Sequence, residues 1–160
     1  MKDLKASTLL VLLINTVLLC GAALAAEDLS PRVPADKIAA AKELRNPIAA
    51  GDSMQEAKKI FTGKGRCYTC HGLSGRGDGP AGSSFNPRPR DFTDAQWQRM
   101  RTDGEIFWAI SEGTEYGMIP FGGILSEKER WLAVDYIREL GKNRDISHET
   151  AASGELGVTK

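Results

Sequence analysis

The sequence predicts an all-α domain, on three observations. Apolar residues recur at helical spacing in four stretches. Three of these open on Ser or Thr with Glu three positions later, a spacing at which the two residues cap a helix start reciprocally. No stretch reads as a strand.

The elements follow in chain order. "MKDLKASTLLVLLINTVLLCGAALAAEDLS" begins with Lys2 and Lys5, continues with an apolar run from Leu9 to Leu19, and reaches Ala23-Leu24-Ala25. A basic region, an apolar region and a small-x-small site in that order read as a secretory signal peptide over residues 1–25, cleaved after Ala25. The run is short for a retained membrane anchor. Leu19 stands where a lipoprotein signal wants a small residue before Cys20.

Residues 26–51 form an N-terminal extension with one helix, in "VPADKIAAAKELRNP". Pro34 suits its first turn and Pro47 its end. Ile38, Ala41, Leu44 and Ile48 share a face, which fits a helix packed on the back of the domain or a docking arm.

A domain from 52 to 141 comes next. Its first helix is "SMQEAKKIFTGKG", with Ser53 and Glu56 at capping-box spacing and Gly63 and Gly65 closing it. Residues 72–92 are a loop punctuated by Gly and Pro. The "RGD" within it is a chance match, and no Gly-Lys-Ser/Thr follows to make a phosphate cradle. "TDGEIFWAISEG" is the next helix, capped by Thr102 and Glu105. "LSEKERWLAVDYIREL" is the last, capped by Ser126 and Glu129, with Gly141 as its stop signal. Residues 142–160 read as a flexible polar tail that frays beyond the last helix.

Formal net charge is zero, so composition points to neither nucleic acid nor an anionic membrane as partner. Removal of 1–25 takes Cys20 with it and leaves Cys67 and Cys70, both in "CYTCHG". No disulfide framework can be built from that pair. Zinc wants about four ligands, and the only further histidine, His148, lies in the tail. A thioredoxin-like dithiol would follow a strand. Cys-x-x-Cys-His is the attachment signal for c-type haem, with the thiols bonded to the haem and the next residue placed to bind iron.

From about Ser53 to Leu140 the chain resembles the small monohaem class I cytochromes c of bacterial periplasms. "CYTCHG", the glycine–proline loop, "GMIPFG" and the C-terminal amphipathic helix stand in family order. The resemblance implies one covalent haem c on Cys67 and Cys70, with iron bound by His71. It implies a crossing of the helix before the motif with the last helix, for which Phe61, Trp131 and Ile137 are candidates. The second axial ligand in the family is a methionine in a loop before the last helix, which Met118 matches. Met54 reads as core, Met100 as a distant second choice, and His148 as a solvated tail residue.

Further roles carried over from the family are these. The Pro80 carbonyl, or else that of Pro87, accepts the N–H of the proximal histidine. Arg88, Arg90 and Trp97 face the haem propionates. Trp108 and Phe121 line the crevice. About forty residues precede Cys67 after cleavage, more than small family members have, and the resemblance assigns them no role.

The expected function is that of a periplasmic electron carrier with His/Met ligation. It passes single electrons between respiratory redox partners, with no catalytic residues and no small-molecule substrate. Two alternatives are a haem subunit of a larger periplasmic oxidoreductase and an enzyme or sensor with an open sixth site. Lys58, Lys59, Lys64 and Arg66 near the motif suit a local basic rim or a solvated face.

Overall fold

The computed structural model describes residues 29–48 and 53–153, with side chains as far as Lys142. The segment 1–25 expected to be a signal peptide, with Cys20, the side chain of His148 and the last residues of the tail lie outside the described residues. Among the described residues there is no strand, and no helix is long and apolar enough to cross a membrane.

Helix α1 spans Ile38–Glu43 and is entered by a turn in which the N–H groups of Lys37 and Ile38 both donate to the Pro34 carbonyl. Its buried residue is Ala41, 1% exposed. Helix α5, Asp103–Glu112, meets it there, and a side chain on Gly104 would place Cβ 2.0 Å from the Ala41 carbonyl oxygen. Asn46 then donates from Nδ2 to Asp135 on the last helix at 2.6 Å. The N-terminal helix is thus packed on the body of the domain.

Helix α2, Met54–Lys59, widens into a π-helical turn over Ile60–Lys64 instead of stopping at Gly63. The Gly65 N–H reaches back to the Ile60 carbonyl at 2.9 Å. The cap expected at Ser53 does not form. Its ψ of 26° is far from the extended geometry a cap residue needs, and Glu56 faces Lys128 at 3.4 Å instead. The other two capping boxes are present. Thr102 and Glu105 exchange bonds at 2.8 and 3.2 Å, and Ser126 and Glu129 at 2.8 and 3.3 Å.

Helix α3, Tyr68–His71, carries the cysteine–histidine motif, and the loop after it holds one short 3-10 turn, Gly82–Ser84. Helix α4, Ala95–Met100, had no clear sequence signal. Six residues are too few to show a stripe, and its start is set by Asp94 accepting from the Trp97 N–H at 2.6 Å. Helix α6, Glu127–Ser153, runs through Gly141. That glycine makes room for Gln98, whose carboxamide would lie 2.7 Å from a Cβ there. Gln98 cannot move aside freely, because its Nε2 donates to the carbonyls of Phe92 and Ile137 at 2.7 and 2.9 Å.

The core lies where α2 crosses α6. Phe61 and Val134 are both 0% exposed there, and Trp131 and Ile137 are buried with them. The Phe61 ring sits 5.0 Å from Tyr136, and Trp131 stacks on Phe107 of α5 at 4.0 Å. The three residues expected at the crossing are therefore all in the core.

Candidate functional site

Helices α3 to α6, the loops between them and the N-terminal segment enclose a cavity of about 450 Å³. Cys67, Cys70 and His71 line it from the motif, Ile106 and Ile110 from α5, Met118 and Phe121 from the following loop, and Ile137 from α6. Its lining is largely apolar, as a cavity for a large organic group requires.

His71 is held by the stretch that runs past it. Its Nδ1 lies 3.2 Å from the Arg90 carbonyl oxygen, and Phe92 stacks on the imidazole at 4.3 Å with 17° between the planes. A carbonyl only accepts, so Nδ1 is the protonated nitrogen and Nε2 keeps the lone pair. Burial pushes the imidazole down to about 4; the Arg90 carbonyl opposes this and the Arg32 charge adds to it. Near neutral pH the ring is therefore uncharged and able to ligate a metal through Nε2. Cys67 and Cys70 are both unpaired thiols. Burial pushes the Cys67 thiol up to about 11, with Cys70 adding to the effect.

Arginines supply the polar part of the wall. Arg90 is 7% exposed, and its guanidinium donates to the Ser30 carbonyl. Arg101 donates to Glu105 at 2.9 Å and to the Leu29 carbonyl at 3.0 Å. Its Nε is buried with no partner among the described residues. Guanidinium groups in the wall of an apolar cavity are donors that a carboxylate would satisfy. A neutral imidazole, a thioether, two thiols, apolar walls and buried arginines together fit a haem with its two acid tails.

Three expectations need correction. Pro80 does not face His71: the loop folds back over the motif helix, with the Gly79 and Ala81 N–H groups bonded to the Cys70 and Thr69 carbonyls, and Pro80 is left exposed. The carbonyl at Nδ1 belongs to Arg90; Pro87 lines the cavity but is not the acceptor. The side chain of Arg88 is exposed and off the cavity, and it is its carbonyl that is used, by Arg32 at 2.9 Å. Trp108 is also off the cavity, because the face of α5 turned inward carries Ile106 and Ile110, one turn apart.

Arg90, Trp97, Phe121 and Met118 line the cavity. Met100 is 47% exposed and away from it, and Met54 packs against the core. Sequence reading missed Arg32, Val33, Arg101, Glu105 and Tyr116, all of which line the cavity. Among the described residues no three His, Cys, Asp or Glu side chains converge on an ion site.

Fold and site define the class: an all-α domain with an apolar cavity lined by two thiols and a neutral histidine. Residues 54–141 match the family model for cytochrome c, and the chain belongs to that family. Its cofactor is haem c with its iron, covalently bound; Cys67 and Cys70 have the spacing for it. Its function rests on haem-based electron transfer.

Among solved structures, the chain is similar to one titled Kuenenia stuttgartiensis reducing HAO-like protein complex Kustc0457/Kustc0458. The identity is 30% over 61% of this chain, with a TM-score of 0.51. The match spans 46% of that chain, less than half its length. A structure titled KustC0563 c-type cytochrome is 32% identical over 52% of this chain and 95% of its own, with a TM-score of 0.47. No curated protein matched the chain.

Proposed function

We propose that this chain is an exported, periplasmic carrier of single electrons, with His71 and Met118 as the axial ligands of one haem c. The observation that supports it is that Met118 stands on the same cavity as His71, whose Nδ1–H is tied to a carbonyl and whose Nε2 is free to ligate. Bound haem supplies a one-electron ferric/ferrous couple. The chain's residues do the rest. Cys67 and Cys70 anchor the group, His71 is oriented by Arg90 and Phe92, and Ile106, Ile110 and Phe121 keep water away. Arg90, Arg101 and Trp97 face the acid tails. A thioether ligand and burial both favour the reduced state and raise the potential. No catalytic residue is needed, and the partners are other respiratory redox proteins.

Replacing Met118 tests the ligand. Met118→Ala keeps the covalent haem, loses the weak far-red sulfur-to-iron band, binds carbon monoxide when reduced and has a lower midpoint potential. Met100→Ala does none of these. A band that survives Met118→Ala and disappears in Met100→Ala overturns the assignment.

A second reading has one observation in its favour, the likeness to a component of a structure titled as a complex. On that reading the chain is the haem subunit of a larger periplasmic oxidoreductase. Size exclusion of the native periplasmic extract separates the two, since a free monomer excludes the subunit.

A further inference from the structure

The segment Leu29–Val33 lies outside the stretch that matches the family, yet it touches residues beside both candidate axial ligands. Ser30, Arg32 and Val33 line the cavity. On the His71 side, the Arg90 guanidinium donates to the Ser30 carbonyl, while the Arg90 carbonyl faces His71 Nδ1 at 3.2 Å. Arg101 fastens the same segment through the Leu29 carbonyl at 3.0 Å. On the Met118 side, the Arg32 guanidinium lies 5.3 Å from the centroid of the Tyr116 ring, and Tyr116 stands just before Gly117 and Met118. Arg32 also donates to the Arg88 carbonyl at 2.9 Å.

Within the loop that carries Met118, the Thr114 N–H donates to the Met118 carbonyl at 2.9 Å and the Gly117 N–H to the Thr114 carbonyl at 3.2 Å. Met118 and Phe121 pack against the core, while Ile119, next in the chain, is 58% exposed. A loop near the surface opens at lower free-energy cost than the core, so a tether from outside changes how often it opens. A guanidinium over an aromatic face is such a tether, and Arg32 is itself fixed by its bond to Arg88.

We propose that Leu29–Val33 is a clasp across the cavity, and that Arg32, acting through Tyr116, is the positioning residue that keeps the Met118 loop closed. Its effect at the iron rests on the reading of Met118 as ligand; its effect on the loop does not.

The test measures the loop and the ligand separately, in the full haem-loaded protein. In Arg32→Ala, amide hydrogen exchange at Thr114 and Gly117 should quicken about tenfold. The far-red band should weaken and carbon monoxide affinity should rise by a similar factor, with the covalent haem retained. Arg32→Lys, which keeps a cation over the ring, should recover most of the loss. Tyr116→Leu should reproduce the effect, and the double variant should add little to either single one. Unchanged exchange at Thr114 and Gly117 in Arg32→Ala overturns the clasp, as does quickened exchange confined to residues 29–33. If the band survives Met118→Ala, the ligand reading falls, and the exchange rates still decide the clasp.

Discussion

The His71 side of the cavity and the Met118 side are built by different means. Around His71 the backbone is bonded to itself at short intervals: Gly72 to Tyr68, Gly77 to His71, Gly79 to Cys70, Ala81 to Thr69 and Phe92 to Gly75. Phe92 is 6% exposed and packs on His71. Around Met118 the chain runs near the surface, with Ile119 and Ile124 exposed and Met118 itself half-buried. This loop is fastened mainly at its far end, by the Phe121 and Gly122 N–H groups on the Ile110 and Ser111 carbonyls. One side holds His71 by packing and a dense backbone network. The other carries Met118 on a loop nearer the surface.

Three tests sharpen or break that contrast. The largest effect is expected at Phe92. Phe92→Ala removes a buried ring and should cost about 3–5 kcal/mol in unfolding free energy, while Ile119→Ala on the exposed loop should stay within about 0.5 kcal/mol. Equal losses in denaturant titrations of the two would mean that both sides are equally rigid. Next come two glycines. A Cβ at Gly79 would lie 2.5 Å from the carbonyl oxygens of both Thr69 and Tyr68, whereas one at Gly123 meets nothing within 4 Å. Gly79→Ala should lose about 1–3 kcal/mol or more, and Gly123→Ala should be close to neutral. A Gly79→Ala protein with unchanged thermal stability would show that the motif loop can shift.

The smallest effect is at Glu129, which faces Lys64 at 2.7 Å and ties the end of the π-helical turn to the start of α6. Lys64, with help from Ser126, lowers the Glu129 carboxyl from 4.5 to about 2. A pKa lowered by folding means stability that is present above pH 4.5 and fades as the pH falls toward 2. Glu129→Gln should therefore lower the melting temperature slightly at pH 7, with the gap to the parent chain closing between those two values. A gap that is constant with pH would assign the loss to the cap at Ser126 and not to charge.

What could be read from the sequence was local, or periodic over a long stretch. The caps at Thr102 and Ser126, the stripe of α6 and the motif from Cys67 to His71 depend on residues a few positions apart. The cap at Ser53 had the same spacing and failed, because spacing does not set the backbone angle of the first residue. The carbonyl on His71 could not be read, since every residue has one and only the path of the loop decides which arrives; Arg90 took the place expected of Pro80. Two arginines on the cavity, Arg32 and Arg101, were hidden for a related reason. Arg32 and Arg101 act through main-chain carbonyls and ring faces far along the chain, and such partners leave no pattern. Trp108 shows the opposite error, a large aromatic that was expected inward but falls on the wrong side of α5 by its position in the turn.

The contact between Gly104 and Ala41 has a bearing on descent. The place where a side chain would stand on α5 is taken by a carbonyl oxygen of α1. A chain that kept α1 in this position could not accept any other residue at 104, whereas one that lost the extension would be released from that restriction. The two sites would then drift together or not at all.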